Sequence, residues 1–390
     1  MKFLHTADWH IGRTINGFSL LEEQKYAFKQ ILSIAKEHKV DGIIIAGDLY
    51  DRAVPSVESV TTFNQMIKEM NIIEQLPIYA ISGNHDGAKR LNYAKDWLDF
   101  NHLHLRTSLE EAFIPIKEKE TQIFLLPFFD PMDARIYFSN QGLSEEESKE
   151  IKTIDQAMSL VIAEMKKQFD KNKKQILITH FAVSPHKQEI NLTSETSSKV
   201  GGLATLNASQ FADFDYVALG HIHTRLASPS PKIQYSGSPV KFNIKEAKSQ
   251  KGVFIVETKE SSVTSDFIPL QIQTDLVVLK EEWEQLINRE YYEKQPINQA
   301  WFAITIKNFD RAKLAGQNLR AQLQKIYGTI VELDYQFKER QVQKKQVRNI
   351  ESLDNIGIIS SFYELTTGEK LNKIQEELIE KTFKQLEGEK

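Results

Sequence analysis

The stretch VDGIIIAGDLYDR, residues 40–52, decides how the rest of the chain is read. Its branched apolar run, Ile43 to Ala46, closes on Gly47 and is followed at once by the carboxylate of Asp48. A short apolar run ended by glycine reads as a buried central strand. Asp48 is thereby set at the strand's carboxyl end, where open α/β sheets bind their ligands. Four other stretches repeat the arrangement: FLHTADWH (3–10), IYAISGNHD (78–86), ILITH (176–180) and YVALGHIH (216–223). Each runs from an apolar segment into Asp, Asn or His, the oxygen and imidazole donors of divalent metals.

A chain of 390 residues exceeds one usual core, so a large domain with one or two smaller ones is expected. Its balance of 41% hydrophobic and 26% charged residues is that of an ordinary soluble protein. No run approaches the roughly 18 apolar residues of a membrane span, and the N-terminus enters the first strand with no signal peptide. A cytoplasmic protein is expected. The absence of cysteine excludes disulfides, thiolate zinc sites and a cysteine nucleophile, so any metal must be held by His, Asp, Asn or Glu. A net charge of −4 argues against wholesale coating of nucleic acid and leaves room for a local basic patch.

Leu20 to His38 has the spacing of an amphipathic helix. A second helix, opened by Pro55 and Ser56 and running to Met70, is expected to face Val57, Val60, Phe63 and Ile67 inward. With the strand Leu76 to Ser82, this alternation indicates βαβ crossovers and a mainly parallel sheet covered on both faces. Leu103 to Leu105, Phe113 to Ile116 and Gln122 to Leu126 read as shorter strands. Pro127 to Ser148 reads as a surface loop or lid, Ile151 to Phe169 as a helix, and Ser184 to Gly202 as a long loop. Ile233 to Tyr235 and Gly252 to Glu257 read as a sheet closing the domain. Residues 1–265 thus form a main domain.

Residues 266–337 read as a small α/β domain, with strands Leu276 to Leu279, Ala300 to Ile306 and Thr329 to Tyr335. Helices Lys280 to Tyr292 and Arg311 to Tyr327 alternate with them. Residues 338–351 form a basic linker carrying Lys338, Arg340, Lys344, Lys345 and Arg348. Residues 352–390 are helical, in segments Ser352 to Leu365 and Lys370 to Leu386 broken at Thr366-Thr367-Gly368.

Asp8, His10, Asp48, Asn84, His180, His221 and His223 supply seven donors, more than one metal needs, with His85 beside them. Octahedral sites take about six ligands each, some of them water, so the set suits two ions with Asp48 as the natural bridge. Two ions about 3.5 to 4 Å apart activate a water and stabilise the oxygens of an in-line displacement at phosphorus. The mixed oxygen and imidazole set suits Mn, with Mg as the other choice.

Asp8-x-His10, Gly47-Asp48-x-x-Asp51, Gly83-Asn84-His85-Asp86, His180 and Gly220-His221-x-His223, in this order, resemble the calcineurin-like metallophosphoesterase superfamily. More narrowly, HTADWHIG, GDLYDR, GNHD and DFDYVALGHIH resemble the SbcD family of bacterial nuclease subunits, over about residues 1 to 260. The resemblance implies an α/β fold: a metallophosphoesterase layered β-sheet core flanked by helices, a small α/β capping and DNA-binding domain, and a C-terminal helical segment. It also implies that Asp8, His10, Asp48 and His223 hold one ion and Asp48, Asn84, His180 and His221 the other. His85 would stabilise the transition state or help the leaving oxygen, with Asp86 or Asp51 to orient it. Phe181-Ala182-Val183 departs from the pattern by lacking a glycine turn close behind His180.

The implied activity is a Mn-dependent DNA nuclease acting in recombination, repair and replication. It comprises 3′ to 5′ exonuclease action on duplex DNA and endonuclease action at hairpins or blocked ends. The implied partners are an SbcC-like SMC-type ATPase and duplex or hairpin DNA, with a homodimer inside a heterotetramer that associates with the nucleoid. No Gly-x-x-x-x-Gly-Lys-Ser/Thr loop is present, so ATP dependence must come from the partner. Two alternatives remain: another binuclear metallophosphoesterase acting on small phosphodiesters or phosphoproteins, and a scaffold protein that clamps DNA.

Several features have plainer readings. His5, His38, His102, His104 and His186 lack the strand-end context and are read as structural or exposed. Trp9 is read as packing, and Arg52 either contacts phosphate or pairs with a carboxylate. The basic linker is either solvated or tracks DNA backbone without sequence preference. Leu371, Ile374, Leu378, Ile379, Phe383 and Leu386 lie on one half of a helix that either folds onto its own domain or docks on the ATPase.

Overall fold

A computed structural model describes residues 1–185, 205–260, 262–311, 314, 316–337, 354–367 and 370–388. In chain order its main strands begin with β1 (Lys2–Thr6), β2 (Gly42–Ile45), β3 (Ile78–Ile81), β4 (Leu103–Arg106) and β5 (Ile116–Lys117). They continue with β6 (Thr121–Leu126), β7 (Lys174–His180), β8 (Tyr216–Gly220), β9 (Ile233–Tyr235), β10 (Gly252–Thr258) and β11 (Val263–Pro269). Two sheets result, one ordered β11-β10-β1-β2-β3-β4 and the other β9-β8-β7-β6-β5. The central pairs β1–β2, β2–β3, β6–β7 and β7–β8 are parallel, so their carboxyl ends point the same way within each sheet.

The inner faces of the sheets pack on one another. Phe3, Ile44, Tyr79 and Ile81 from the first sheet meet Ile123, Ile176, Ile178, Tyr216 and Ala218 from the second, all buried. Each such side chain removed from water contributes about 1.5–3 kcal/mol. The alternating residues of the same strands face outward under helices. Leu4, Ile43, Ile45 and Ile78 lie against α1 (Leu21–Glu37) and α2 (Val57–Ile67), and Phe124, Leu126, Leu177 and Val217 against α3 (Pro131–Asn140) and α4 (Ile154–Lys166). The single sheet with two covered faces expected from the apolar strands is therefore two sheets, each covered by helices on one face. A strand apolar on both faces reads the same whether helix or sheet covers it. For the same reason Ile233–Tyr235 and Gly252–Thr258 do not close the domain together: they sit in different sheets.

The helices show two further corrections. Ser56 caps α2 by accepting from Ser59 N at 3.1 Å; Phe63 and Ile67 pack partly buried against the core as expected, but Val57 is 83% exposed and Val60 also faces out, and the fully buried positions are Ser59, Thr62 and Met66. The first turn of this helix is thus out of phase with the expected inner face. Residues 127–148, expected as loop, contain α3 and a short helix over Glu145–Lys149, each opened by a capping box, at Asp130 with Pro131 behind it and at Ser144. Ala134 and Phe138 anchor α3 in the second core. Phe113 lies in a 3₁₀ turn, Leu109–Phe113, rather than a strand.

A third sheet is parallel, made of β12 (Asp275–Glu282), β13 (Ala300–Phe309) and β14 (Ile330–Phe337), with α5 (Leu319–Tyr327) before its last strand. Leu279, Trp283, Phe302, Ile304, Leu323 and Tyr327 form its own core. The expected helix Lys280 to Tyr292 is two short helices, Trp283–Leu286 and Arg289–Tyr292, and the expected Arg311 to Tyr327 helix begins at Leu319. Two helices, α6 (Asn355–Thr367) and α7 (Lys373–Gly388), follow, linked by a Gln375 side-chain bond to Tyr363. The expected long loop from residue 186 on, with His186, and the expected basic linker with Lys338, Arg340, Lys344, Lys345 and Arg348 lie outside the described residues. Among the described residues no helix is long and apolar enough to cross a membrane.

The phase of α2 can be tested by truncation. Met66→Ala, at a site 3% exposed, is expected to cost about 2–5 kcal/mol, and Val57→Ala no more than about 0.5 kcal/mol, by denaturant unfolding of the metal-free protein.

Candidate metal centre

All seven candidate ligands sit where the two sheets end together. Asp8 and His10 follow β1, Asp48 follows β2, Asn84 and His85 follow β3, His180 ends β7, and His221 and His223 follow β8. The loops after β1 and β2 run side by side, with Asp8 N donating to Gly47 O at 3.1 Å and His10 N to Asp48 O at 2.9 Å. Asp8, His10, Asp48 and His221 all have positive φ, at 53°, 43°, 51° and 91°. Such backbone costs about 1–3 kcal/mol per residue and gathers at functional sites. Tight contacts leave no room for side chains behind the ligands. A Cβ on Gly220 would land on the Ala46 carbonyl, and one on Gly83 on the Asp48 carboxylate.

Asp48 stands in the middle. Its Oδ2 lies 3.3 Å from His10 Nε2 and 3.2 Å from His180 Nε2, while its Oδ1 accepts from His85 N at 2.9 Å. On one side, His10 Nε2 faces His223 Nε2 at 3.2 Å. On the other, Asn84 Oδ1 lies 3.1 Å from His180 Nε2 and 3.0 Å from His221 Nδ1. Asp8 reaches towards both groups: its Oδ1 accepts from His221 N at 2.8 Å, and its Oδ2 is buried with no hydrogen-bond partner. Asp8, His10 and His223 could hold one cation, and Asp8, Asp48 and His180 another, since the ligand atoms of each trio lie within 4.8 Å of one another. An orphaned carboxylate oxygen and imidazole nitrogens aimed at common points fit divalent cations and suit hard-to-borderline metals.

Electrostatics agree with a cation-dependent site. Burial pushes the Asp8 carboxyl up to about 6, against the pull of His180 and His223. At Asp48 burial is outweighed by His180 and His10, which hold its carboxyl well below the usual range. Burial drives His10 well below an ordinary imidazole, with Asp48 opposing, whereas at His180 burial is overcome by Asp48 and the ring is raised to about 9.

Of the two residues expected to orient His85, Asp51 is the one beside it: His85 Nδ1 meets the main-chain oxygen of Asp51 at 2.9 Å, and an Asp51 carboxylate oxygen lies within 4.8 Å of ring nitrogens of His10 and His85. Asp86 instead accepts from Leu49 N, Tyr50 N and Gly83 N, each at 2.9–3.0 Å, and so ties the β2 and β3 loops together. Burial, with Asp48 close by, raises its carboxyl to about 7. The Asp51 carboxylate pairs with Arg13 at 3.1 Å and with Arg52, itself 69% exposed, at 3.3 Å. Trp9 packs edge-on to Phe28 and Phe63. Of the histidines read as structural, His5 is buried between the sheets beside Tyr216 and His104 pairs with Asp99. Behind His180, Phe181 packs on Phe128 and Phe129, and Val183 pairs with Leu206, so aromatic packing stands where a glycine turn was expected. Two residues that pattern reading passed over also line the site: Phe242, whose ring contacts His10 and His223, and Glu246, beside His223 Nδ1. Neither carries a strand-end or motif signal.

This sheet pair with its histidine and carboxylate cluster is the architecture of a metallophosphoesterase. Residues 1–225 match the family described as calcineurin-like phosphoesterase. The SbcD component of the SbcCD nuclease of Staphylococcus epidermidis is 32% identical over 380 residues, 97% of each chain. Its namesake in Staphylococcus saprophyticus is 33% identical over 393 residues, spanning 100% of both. A crystal structure of the protein TT1561 from Thermus thermophilus aligns with 68% of this chain and 98% of its own, at 11% identity and a TM-score of 0.38. The chain belongs to the calcineurin-like phosphoesterases, in the branch of the SbcD nuclease subunits. It is a metal-dependent phosphodiesterase with a nuclease role.

Asp86→Asn replaces one acceptor oxygen by a donor where three N–H groups converge. It is expected to destabilise the metal-free protein by roughly 1–3 kcal/mol, measured by urea unfolding.

Proposed function

We propose that this chain is the Mn-dependent nuclease subunit of an SbcCD-type complex, hydrolysing DNA phosphodiesters in recombination, repair and replication. Its activities are 3′ to 5′ exonuclease action on duplex ends and endonuclease action at hairpins or blocked ends. The observation that carries the reading is Asp48 Oδ2 held between His10 and His180, with donors from both sheets on either side. Asp8, His10, Asp48 and His223 hold one ion and Asp48, Asn84, His180 and His221 the other. When bound, the ions activate water and neutralise charge at phosphorus. In this reading Asp48 would be shared by the two ligand groups, and Asp8 also lies within reach of both. His85, its Nδ1 committed to the Asp51 carbonyl, offers Nε2 to the phosphoryl or leaving oxygen. Arg52, exposed at the rim, meets the DNA backbone, and the smaller domain caps the site.

Two apolar surfaces support assembly. Ile374 and Leu378 on α7 are 78% and 65% exposed, as is Phe362 on α6 at 68%, a surface suited to docking on an SbcC-like SMC-type ATPase. Leu371, Ile379 and Phe383 are half-buried. The side chain of Leu386 lies outside the described residues. Tyr93, Trp97 and Phe100 expose a second apolar patch, suited to a homodimer within the heterotetramer. Such a complex works at the nucleoid, in the cytoplasm.

The test is cleavage of end-labelled linear and hairpin duplex DNA in Mn or Mg, with and without the ATPase subunit. Wild-type chain is expected to cut in Mn, His85→Ala to lose cutting, and a chain ending at residue 353 to keep basal cutting but lose the partner's effect. Turnover of a generic phosphodiester with no cleavage of DNA under any condition would return the reading to another binuclear phosphoesterase. Asp48→Ala is expected to lose both ions, and two ions retained per chain in a calorimetric Mn titration would break the bridging assignment.

A further inference from the structure

Behind His223 lies a set of charged groups that the reaction itself does not use. Glu246 and Lys251 are each 2% exposed, and the Lys251 ammonium meets Glu246 Oε2 at 2.6 Å. A buried ion pair is weak evidence for stability, because taking both charges out of water offsets their attraction. Its contacts are directed at the metal centre instead. Glu246 Oε1 lies 3.4 Å from His223 Nδ1, while Lys251 donates to the His223 main-chain oxygen at 3.0 Å and to Ser238 Oγ at 2.8 Å. The carboxylate is itself fixed by Asn243 Nδ2 at 2.6 Å and Phe242 N at 3.3 Å. Phe242 sets its ring against both His10 and His223, with centroids 5.2 and 5.3 Å away. One segment, residues 238–251, therefore holds the backbone, the ring face and the far nitrogen of His223.

We propose that Glu246 is a positioning residue for the ion shared by His10 and His223: it accepts from His223 Nδ1–H and so leaves Nε2 as the ligand atom. The inference rests on the two-ion reading given above. Metal-bound imidazoles generally direct their second nitrogen to a carboxylate or carbonyl, and loss of that partner costs about 10–100-fold in metal affinity. Lys251 balances the charge of Glu246 and ties the carboxylate to the backbone of the ligand it orients.

The test uses the full chain, stripped of metal, as wild type, Glu246→Asp and the double variant Glu246→Leu/Lys251→Met, which removes both charges and the acceptor facing His223. Thermal melting checks that each is folded. Calorimetric Mn titration is expected to find two ions in the wild type. In the double variant one ion keeps its affinity and the other is weakened about 10–100-fold, with partial recovery in Glu246→Asp. Nitrogen NMR of ¹⁵N-histidine-labelled, metal-free protein is expected to show His223 as the Nδ1–H tautomer in the wild type and a shift towards Nε2–H in the double variant. Two ions at unchanged affinity in the folded double variant, or His223 as Nε2–H in the wild type, would overturn the proposal. A wild type that binds fewer than two ions would defeat the two-ion reading, while the tautomer measurement would still decide the role of Glu246.

Discussion

Asp48 is a carboxylate with 2% exposure, and burying such a charge is tolerable only where opposite charge and hydrogen-bond donors surround it. His10, His180 and the His85 N–H provide that shell. Each comes from a different strand end, so the carboxylate can be accommodated only when those ends arrive together. Its backbone is left-handed, with φ 51°. Holding an L-residue there takes the parallel bonds from His10 and Ile11 to the main chain after β2.

The packing of the two sheets is what brings the ends together. His180 and Gly220 are directly paired in neighbouring strands of the second sheet, while Phe3 to Thr6 run beside Gly42 to Ile45 in the first. Interior side chains such as Ile44, Tyr79, Ile176 and Ile178 set the separation of the layers, so donors after β2 and after β7 meet across the gap. His180 Nδ1 donates to the Ala46 carbonyl of the opposite sheet at 2.7 Å, a direct polar tie between the layers at the floor of the site. Changes in the interior would therefore be felt as changes in donor spacing.

Much of this was legible from residue order. The strands carrying Asp8, Asp48, Asn84, His180 and His221 are short apolar runs with an abrupt polar end, and that contrast survives without any tertiary information. The second sheet was not legible, because Ile43 to Ile45 are apolar on both faces whatever covers them. Only half of the inner face of α2 is legible: Phe63 and Ile67 pack on the core, whereas Val57 and Val60 look like core residues but face out, and Ser59, Thr62 and Met66 fill the buried positions. The helix after Asp130 was hidden by weak periodicity, although Asp130, Pro131 and Asp133 carried its start. Glu246 and Phe242 lie some twenty residues beyond the last ligand and reach the site only through tertiary folding. Asp51 was named as a carboxylate but acts on His85 through its carbonyl, which is common to every residue type and so invisible to pattern reading.

The place of β1 in its sheet bears on how the protein is made. Phe3 to Thr6 pair on one side with β2, and Lys2 to His5 on the other with β10, where Lys2 faces Glu257. The earliest strand of the two sheets thus waits for one of the last strands of the core, across about 250 residues of chain. Contacts of such long sequence separation slow folding, and a nascent sheet with an open edge is prone to wrong pairing. During translation the donors near residues 8, 48 and 84 emerge well before those at 180 and 221, so the early sheet stands with its inner face bare and its metal centre half built. The ribosome must release most of the nuclease core before either can be closed.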